Sequence, residues 1–211
     1  MNVPVTVVLT LLFARLCLRK RLLSPVLETA FALSMAVAMS AASLIFKVLL
    51  NPTVGYVNHL LGVSIGWYRD RSTALYGILL LTVWMGIGFN FLLFLSALRG
   101  VSQDLTDAAR LDGAGTLRVF LQVELPLISH TMLYVVCTNT VQALMTSGPI
   151  LLLTQGGPSR STTTLIYMMY TSGYGSSNYS LAACVSIVTF ALSLGFTLLA
   201  FAGDRKRGEP Q

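Results

Sequence analysis

The chain alternates between long apolar runs and short polar intervals, a pattern typical of helices that cross a membrane. The apolar runs occupy residues 2–18, 25–46, 73–98, 125–145 and 181–202. A transmembrane helix needs about 20 mostly apolar residues to cross a hydrocarbon core about 30 Å thick. The pattern therefore predicts an all-α membrane protein with about five transmembrane helices, in a single domain over residues 1–211.

Composition favours a membrane protein over a soluble one. Of the 211 residues, 55% are hydrophobic and 10% are charged, and the mean hydropathy is +0.74. Soluble domains carry about 25% charged residues. A net charge of +6 would suggest nucleic acid as the ligand of a soluble protein. In a membrane protein it is typical of Lys and Arg kept on the cytoplasmic side, so no nucleic-acid partner is expected.

One polar stretch, residues 102–115, interrupts the apolar pattern with three of the eight acidic residues of the chain. Ser102 is a good N-cap, and the helix dipole favours Asp104 in the first turn. Gly113 and Gly115 suit the helix end, because glycine adopts the left-handed conformation without a Cβ penalty. The stretch predicts a short helix of about three turns. Composition alone leaves open whether this is a solvated loop helix or a docking surface.

The same stretch resembles the cytoplasmic coupling motif of the permease subunits of ABC importers. The family pattern is Glu-Ala-Ala, two residues, Asp-Gly-Ala, five residues, Phe, two residues, Ile, one residue and Leu-Pro. The matching positions here are Asp107, Ala108, Ala109, Asp112, Gly113, Ala114, Phe120, Val123, Leu125 and Pro126. Asp107 replaces the usual Glu, and Val123 replaces the usual Ile. The shorter Asp107 carboxylate therefore reaches one methylene less far than the family residue.

A second resemblance to this family, in its carbohydrate and glycerol-phosphate branch, covers residues 148–180. The turn-rich run 153–158 and the following run 162–170 resemble the external loop that such permeases place before their last helix. The resemblance implies that this loop docks an external solute-binding protein. The candidate docking residues are Gln155, Gly156, Gly157 and Pro158.

The resemblance implies a non-catalytic permease subunit of the binding-protein-dependent type. Its implied partners are two ATPase subunits, a second homologous permease, an external solute-binding protein and the lipid bilayer. ATP and Mg²⁺ would be bound by the ATPase subunits and no cofactor by this chain, which has no Gly-x-x-x-x-Gly-Lys-Ser/Thr loop. The helix 102–115 would lie in a cleft of the ATPase, where Asp107 and Asp112 would meet basic or donor groups.

Polar side chains within two apolar runs are candidates for the path of the solute. Tyr134, Thr138 and Gln142 recur at the spacing of one helix face, and Asn139 lies beside them. Asn90 is the one strongly polar residue of the third apolar run. Neutral amides and hydroxyls suit a hydroxyl-rich solute. The resemblance implies a carbohydrate-type solute, namely a di- or oligosaccharide, a sugar alcohol, or a glycerol phosphate or its diester. No apolar run has a central Lys or Arg for a phosphate group, which favours a neutral saccharide. Hydrogen bonding between helices explains the same residues equally well.

The distribution of Lys and Arg predicts the orientation in the membrane. With residues 102–115 inside, ten of the fourteen basic residues are cytoplasmic and four, namely Lys47, Arg69, Arg71 and Arg160, are external. This topology places the C-terminus in the cytoplasm of a bacterium or archaeon. Related permeases usually have six or more spans, and the resemblance begins at their second core helix. The first core helix is therefore expected to be missing from this chain.

Two other classes of protein stay open, a secondary transporter and a structural membrane subunit without ATPase coupling. Secondary transporters commonly hold a carboxylate at the centre of a span. None of the eight acidic residues lies at the centre of an apolar run. Energy for transport is therefore expected to come from a partner.

Overall fold

The computed structural model describes residues 1–19 and 24–205, and within these ranges the chain forms helices and no strand. The α-helices of this part are α1 (Asn2–Arg19), α2 (Ser24–Ala36), α3 (Met39–Leu49), α4 (Tyr56–Leu61), α5 (Ala74–Arg99), α6 (Gln103–Leu111), α7 (Thr116–Val119), α8 (Leu125–Leu127), α9 (Ser129–Leu144), α10 (Leu165–Tyr170) and α11 (Tyr179–Arg205). Three π-helical turns lie between them, at Phe120–Glu124, Ile150–Thr154 and Thr171–Gly175. The predicted all-α fold is confirmed. The basic residues Lys20, Arg21, Lys206 and Arg207, which the topology prediction uses, lie outside the described residues.

Helices lie at each of the predicted apolar runs, but several are short or bent. Within the described ranges, α5 and the Tyr179–Ala202 part of α11 are long and apolar enough to cross a membrane. The number rises to four if each of two bent helix pairs counts as one span, and α1 is a shorter apolar helix. The total of five spans stays a prediction.

The second apolar run is not the single straight helix that its pattern predicts. The chain breaks at Ala38, which has an extended backbone, and the axes of α2 and α3 differ by 103°. The bend turns the chain toward a second apolar cluster. Its buried members are Ala42, Leu50, Leu81 and Leu153. Packing against α5 and the Ile150–Thr154 turn therefore overrides an apolar pattern that has no proline or glycine near the bend.

The fourth predicted span begins later than residue 125. A bend of 73° at Ile128 separates Thr116–Leu127 from α9. Ile128 is 3% exposed and belongs to the main apolar core, so its burial fixes the bend against the bundle. Pro126 lies in the short helix α8 just before the bend, at a position where its missing N–H costs little.

The predicted external loop, residues 148–180, is more regular than a loop. It contains the π-helical turns Ile150–Thr154 and Thr171–Gly175 and the helix α10. The side chain of Thr164 accepts a hydrogen bond from the Tyr167 N–H at the start of α10. Within residues 148–180, the irregular backbone is limited to residues 155–164 before α10 and residues 176–178 before α11.

The main core lies where α1, α2 and α9 pack on α5. Its buried residues are Val7, Ala14, Cys17, Phe91, Phe94, Leu95, Leu98, Ile128 and Val135. Aromatic contacts join three helices, since Phe31 lies 5.1 Å from the Phe13 ring and 4.7 Å from the Phe91 ring, centroid to centroid. Close packing of this kind holds membrane helices together, because lipid tails are as apolar as the side chains.

The last helix, α11, is much less enclosed than α5. It contacts α9, α10 and the Thr171–Gly175 turn. In the chain described, 17% of its apolar segment is buried, compared with 39% for α5. The cysteines follow the same division, because Cys17 and Cys137 are buried while Cys184 of α11 is exposed.

Gly88 allows α5 to approach α2 closely. A Cβ atom at this position would collide with Ser34 Oγ and would lie 2.6 Å from the Phe31 carbonyl oxygen. We expect Gly88→Ala to lower the free energy of unfolding by about 1–3 kcal/mol, the usual cost of overpacking a filled core. Unfolding in mixed SDS and mild-detergent micelles measures this change.

Gly195→Ala is the matched control, because no atom lies within 4 Å of a Cβ placed at Gly195 in α11. Alanine stabilises a helix relative to glycine by about 0.5–1 kcal/mol, so this variant is expected to be neutral or slightly stabilised. Equal stability of the two variants would contradict the assignment of Gly88 to a tight contact.

Candidate functional site

The predicted helix at residues 102–115 is present as α6, followed by a turn. Ser102 occupies the N-cap position without a side-chain cap hydrogen bond, and Asp104 lies in the first turn. Gly113 has φ +80°, the left-handed conformation predicted for the helix end. None of the α6 residues is buried. The helix is therefore a free surface element of the described chain.

The exposed surface of α6 combines apolar and acidic groups. Leu105 is 51% exposed and Leu111 is 89% exposed. Ala108 is exposed, Ala109 is half-buried, and Asp112 is exposed at the end of the helix. Small residues beside large apolar ones allow another protein surface to come close. Such a surface favours docking over a merely solvated helix.

Asp107 is held by its own helix. Its carboxylate lies 2.9 Å from a guanidinium nitrogen of Arg110, three residues further along the chain. Both side chains are about 60% exposed, and an exposed ion pair of this kind contributes only about 0–1 kcal/mol. A partner with a better donor can therefore displace Arg110 at low cost.

The other predicted coupling residues lie beyond α6, and they differ in exposure. Gly113 is exposed and Ala114 is half-buried in the turn after α6, and Pro126 is exposed in α8. Phe120 is buried, and the Arg15 guanidinium lies over its ring at 3.9 Å from the centroid. The motif thus has two parts, an exposed helix and a segment anchored to the bundle.

An ion pair that the sequence analysis did not predict attaches this segment to the bundle. Arg15 of α1 lies 2.5 Å from the Glu124 carboxylate, with side-chain exposures of 14% and 15%. Arg15 also donates to the Thr116 carbonyl oxygen at 2.9 Å. Arg118, Gln122 and Glu124 are polar positions that predict a water-facing side for the helix after Thr116. For Glu124 this prediction is wrong, because Arg15 covers it. The sequence does contain one indication of such a pair. Arg15 is a charged residue inside an apolar run, where a charge usually has a partner.

A second ion pair lies at the same end of the bundle. Arg99, the last residue of α5, lies 2.5 Å from the Glu28 carboxylate and donates to the Ser24 hydroxyl at 3.1 Å. Ser24 in turn donates to Glu28 at 2.5 Å. The start of α2 is therefore tied to the end of α5, three residues before Ser102 and α6.

Two predicted solute-path residues pair with each other. The side-chain amides of Asn90 in α5 and Asn139 in α9 exchange two hydrogen bonds of 3.0 Å, and both residues are buried. Asn139 also donates to the Val135 carbonyl oxygen at 2.7 Å. This geometry supports the alternative of interhelical hydrogen bonding, most clearly for Asn90.

The remaining candidates in α9 divide between the surface and a cavity. Tyr134 is 48% exposed. Thr138 donates to carbonyl oxygens of its own helix at 2.9 and 3.1 Å. Gln142 and Asn139 line a cavity of about 440 Å³ together with Met39, Thr82 and Met145, and the described residues that line it carry no formal charge.

The predicted docking residues form a tight turn after the Ile150–Thr154 segment. Gln155 and Gly156 have positive φ angles of 51° and 77°. A Cβ atom on Gly156 would lie 2.6 Å from the Tyr167 ring, so the turn requires glycine there. Gln155, Gly156 and Gly157 line a cavity of about 540 Å³ that Arg160 also borders. Pro158 continues the turn without lining this cavity.

In the part of the chain that the structure describes, long apolar helices with an exposed helix between them define an integral membrane protein. The model of the binding-protein-dependent transport system inner membrane component family matches residues 3–207. The chain belongs to this family of inner-membrane transport proteins.

Relatives and solved structures agree with this assignment. The chain is 36% identical over 178 residues to the sn-glycerol-3-phosphate transport system permease protein UgpA of Pectobacterium atrosepticum, and 35% identical over 182 residues to UgpA of Yersinia enterocolitica. These alignments cover 82% and 84% of this chain but 60% and 62% of the relatives, so the chain spans about three fifths of their length.

The fold is shared with a bacterial alginate ABC transporter. A structure of that transporter in complex with an alginate-bound periplasmic protein superposes with a TM-score of 0.84 at 18% identity. It covers 99% of this chain and 74% of the transporter chain. A second alginate transporter structure gives a TM-score of 0.75 at 19% identity, covering 99% and 78%.

The paired amides predict an energetic coupling between α5 and α9. Asn90→Ala and Asn139→Ala should each destabilise the protein, and the double variant should lose less than the sum of the two. We expect a coupling of about 0.5–2 kcal/mol, the range of hydrogen bonds between membrane helices. A double-mutant cycle in detergent unfolding measures it.

Thr138→Val provides the control for this cycle, because Thr138 bonds to its own helix. It should show no coupling with Asn90→Ala. Strict additivity of the two Asn variants would mean that the amide pair contributes nothing to helix association.

Proposed function

We propose that this chain is a permease subunit of an ATP-driven importer in the bacterial inner membrane. The exposed helix α6 and the turn that follows it, which together carry the family motif from Asp107 to Ala114, are the observation that carries this proposal. Membership of a family of binding-protein-dependent transport components supports it. The chain itself would bind no cofactor, while ATP and Mg²⁺ would be bound by two partner ATPase subunits.

In this proposal α6 docks in a cleft of an ATPase subunit on the cytoplasmic side. The exposed Leu111 would be covered, and Asp112 would meet a basic or donor group of the ATPase. ATP-driven closure of the ATPase pair would displace α6 and switch the membrane helices between two arrangements, as a rigid-body change. A second, homologous permease would complete the pathway. The C-terminus would lie in the cytoplasm, on the same side as α6.

An external solute-binding protein would deliver the solute to the opposite face. The rigid turn at Gln155, Gly156, Gly157 and Pro158 and the adjoining cavity support docking there. The alginate transporter structure includes a periplasmic protein, which supports the same arrangement by fold.

The proposed solute is a carbohydrate-type molecule, either a saccharide or a glycerol phosphate. The uncharged cavity beside Gln142 favours hydroxyl groups over a phosphate. The UgpA relatives, named as sn-glycerol-3-phosphate permeases, favour the glycerol phosphate. For a phosphate, the second permease would need to supply the cationic group.

Asp112→Lys tests the docking of an ATPase on α6. We expect pull-down of the wild-type chain from native membranes in detergent to recover ATPase activity. The reversed charge at Asp112 should reduce that activity at least about tenfold, since an unpaired interfacial charge costs about 2–5 kcal/mol.

Asp70→Lys makes the same charge change at an exposed position in the loop before α5 and should retain the ATPase. Wild type without any ATPase would contradict the proposed function. Uptake that stops with a protonophore but continues after ATP depletion would indicate a secondary transporter instead.

Gln142→Ala tests the solute path. Loss of one hydrogen bond is worth about 0.5–1.5 kcal/mol, so uptake efficiency should fall roughly three- to tenfold. Uptake of sn-glycerol-3-phosphate and of a neutral disaccharide, measured side by side, distinguishes the two solute classes. Thr140→Val serves as control on the same helix, because the Thr140 hydroxyl bonds to the Val136 carbonyl oxygen and Thr140 does not line the cavity. Unchanged uptake and selectivity for Gln142→Ala would remove this residue from the path.

A further inference from the structure

We infer that Arg15 is a positioning residue that links the motion of α6 to the membrane helices, an inference that rests on the proposed function. Three contacts to the part of the chain that the structure describes come from the one Arg15 guanidinium. It pairs with Glu124, donates to the Thr116 carbonyl oxygen and lies over the Phe120 ring. All three partners belong to the segment that follows α6 directly.

The chemistry of the contact requires arginine. A planar guanidinium offers five donors in a fixed geometry and also stacks on an aromatic face, whereas a lysine ammonium is a point charge. Arg15 uses one nitrogen for the Glu124 carboxylate and another for the Thr116 carbonyl. Lysine could keep the ion pair but would lose the stacking and the fixed second hydrogen bond.

Burial makes this link stiff. The Arg15 and Glu124 side chains are 14% and 15% exposed, so water competes weakly for either charge. Separating the two groups would leave a charge without a partner in a poorly solvated place. The segment from Thr116 to Glu124 should therefore move with α1 rather than slide along it.

Arg15 is itself held in place, because the part of α1 around it is packed in the core. Ala14 and Cys17, on either side of Arg15, are fully buried in the core with Phe94 and Leu98 of α5. A displacement of α6 is passed through residues 112–115 to Thr116 and then through Arg15 to α1. The packing of α1 on α5 distributes it to the bundle.

Glu124 also ends a π-helical turn, Phe120–Glu124. Such turns are uncommon and often occur at functional positions in helices. Here the turn places Phe120 and Glu124 so that both contact the same guanidinium. The π-helical turn and the side-chain contacts thus both hold the segment after α6 against Arg15.

The test is the number of solute molecules taken up per ATP hydrolysed by the complete assembly in proteoliposomes. The assembly contains the partner ATPase, the second permease and the binding protein with its own solute. In Arg15→Met/Glu124→Met both members of the ion pair are replaced together, so that neither Glu124 nor Arg15 is left charged without the other. We expect ATP hydrolysis to persist and uptake per ATP to fall at least about threefold, a change typical for loss of one hydrogen bond.

Arg118→Met/Gln122→Met is the matched control in the same segment. Arg118 and Gln122 are exposed and form a hydrogen bond of 2.9 Å with each other. This variant should take up as many solute molecules per ATP hydrolysed as the wild type. Arg15→Lys should give a ratio of uptake to ATP hydrolysis between those of the wild type and the double variant. If the double variant does not assemble, Arg15→Lys is the deciding test.

A wild-type ratio in Arg15→Met/Glu124→Met, or in Arg15→Lys if the double variant is not recovered, would overturn the inference and leave the proposed function intact. A wild-type assembly that takes up no solute on addition of ATP would overturn both. A lower ratio in the Arg15 variants together with an unchanged control supports the inference.

Discussion

The close approach of α1 and α2 to α5 is the constraint on which the rest of the structure depends. Within a bilayer, apolar side chains gain little by leaving lipid, so helices associate through tight packing and through hydrogen bonds between them. Gly88 and the Phe13, Phe31 and Phe91 rings provide that packing. The Asn90–Asn139 amide pair adds α9 to the same centre. Changes at this centre would alter the position of every element attached to it.

The charged groups of the described chain are arranged differently from the neutral polar groups. The ion pairs of Arg15 with Glu124 and of Arg99 with Glu28 lie where α1 and α5 end. The cavity beside Gln142 is lined by uncharged residues. Charges at a helix end can be solvated in part, whereas a charge in mid-membrane would be costly. The chain can therefore keep strong electrostatic contacts beside α6 and a neutral surface further along the bundle.

Local sequence patterns correctly predicted the elements that depend on contacts between residues close together in the chain. The α6 helix, the left-handed Gly113 and the positions of the apolar helices follow from residues within one or two turns of each other. The bends at Ala38 and Ile128 do not, because packing against distant helices produces them.

The candidate site shows the same limit. Arg15 and Glu124 are 109 residues apart, and neither has a neighbour in sequence that indicates the other. The motif placed Phe120 with the exposed coupling residues, although its side chain faces inward. Among the solute-path candidates, helix spacing grouped Tyr134, Thr138 and Gln142 on one face. It could not tell that Thr138 would bond to its own helix while Gln142 lined a cavity.

The different burial of the three cysteines has a practical consequence for spectroscopy. Cys17 and Cys137 are enclosed, while Cys184 lies on the exposed surface of α11. A maleimide dye that reaches the surface of α11 would therefore attach at Cys184 before the two enclosed thiols. That position lies on α11, whose apolar segment is less enclosed than that of α5. The unmodified protein thus already carries a preferred attachment point for fluorescence or spin-label studies of how α11 moves.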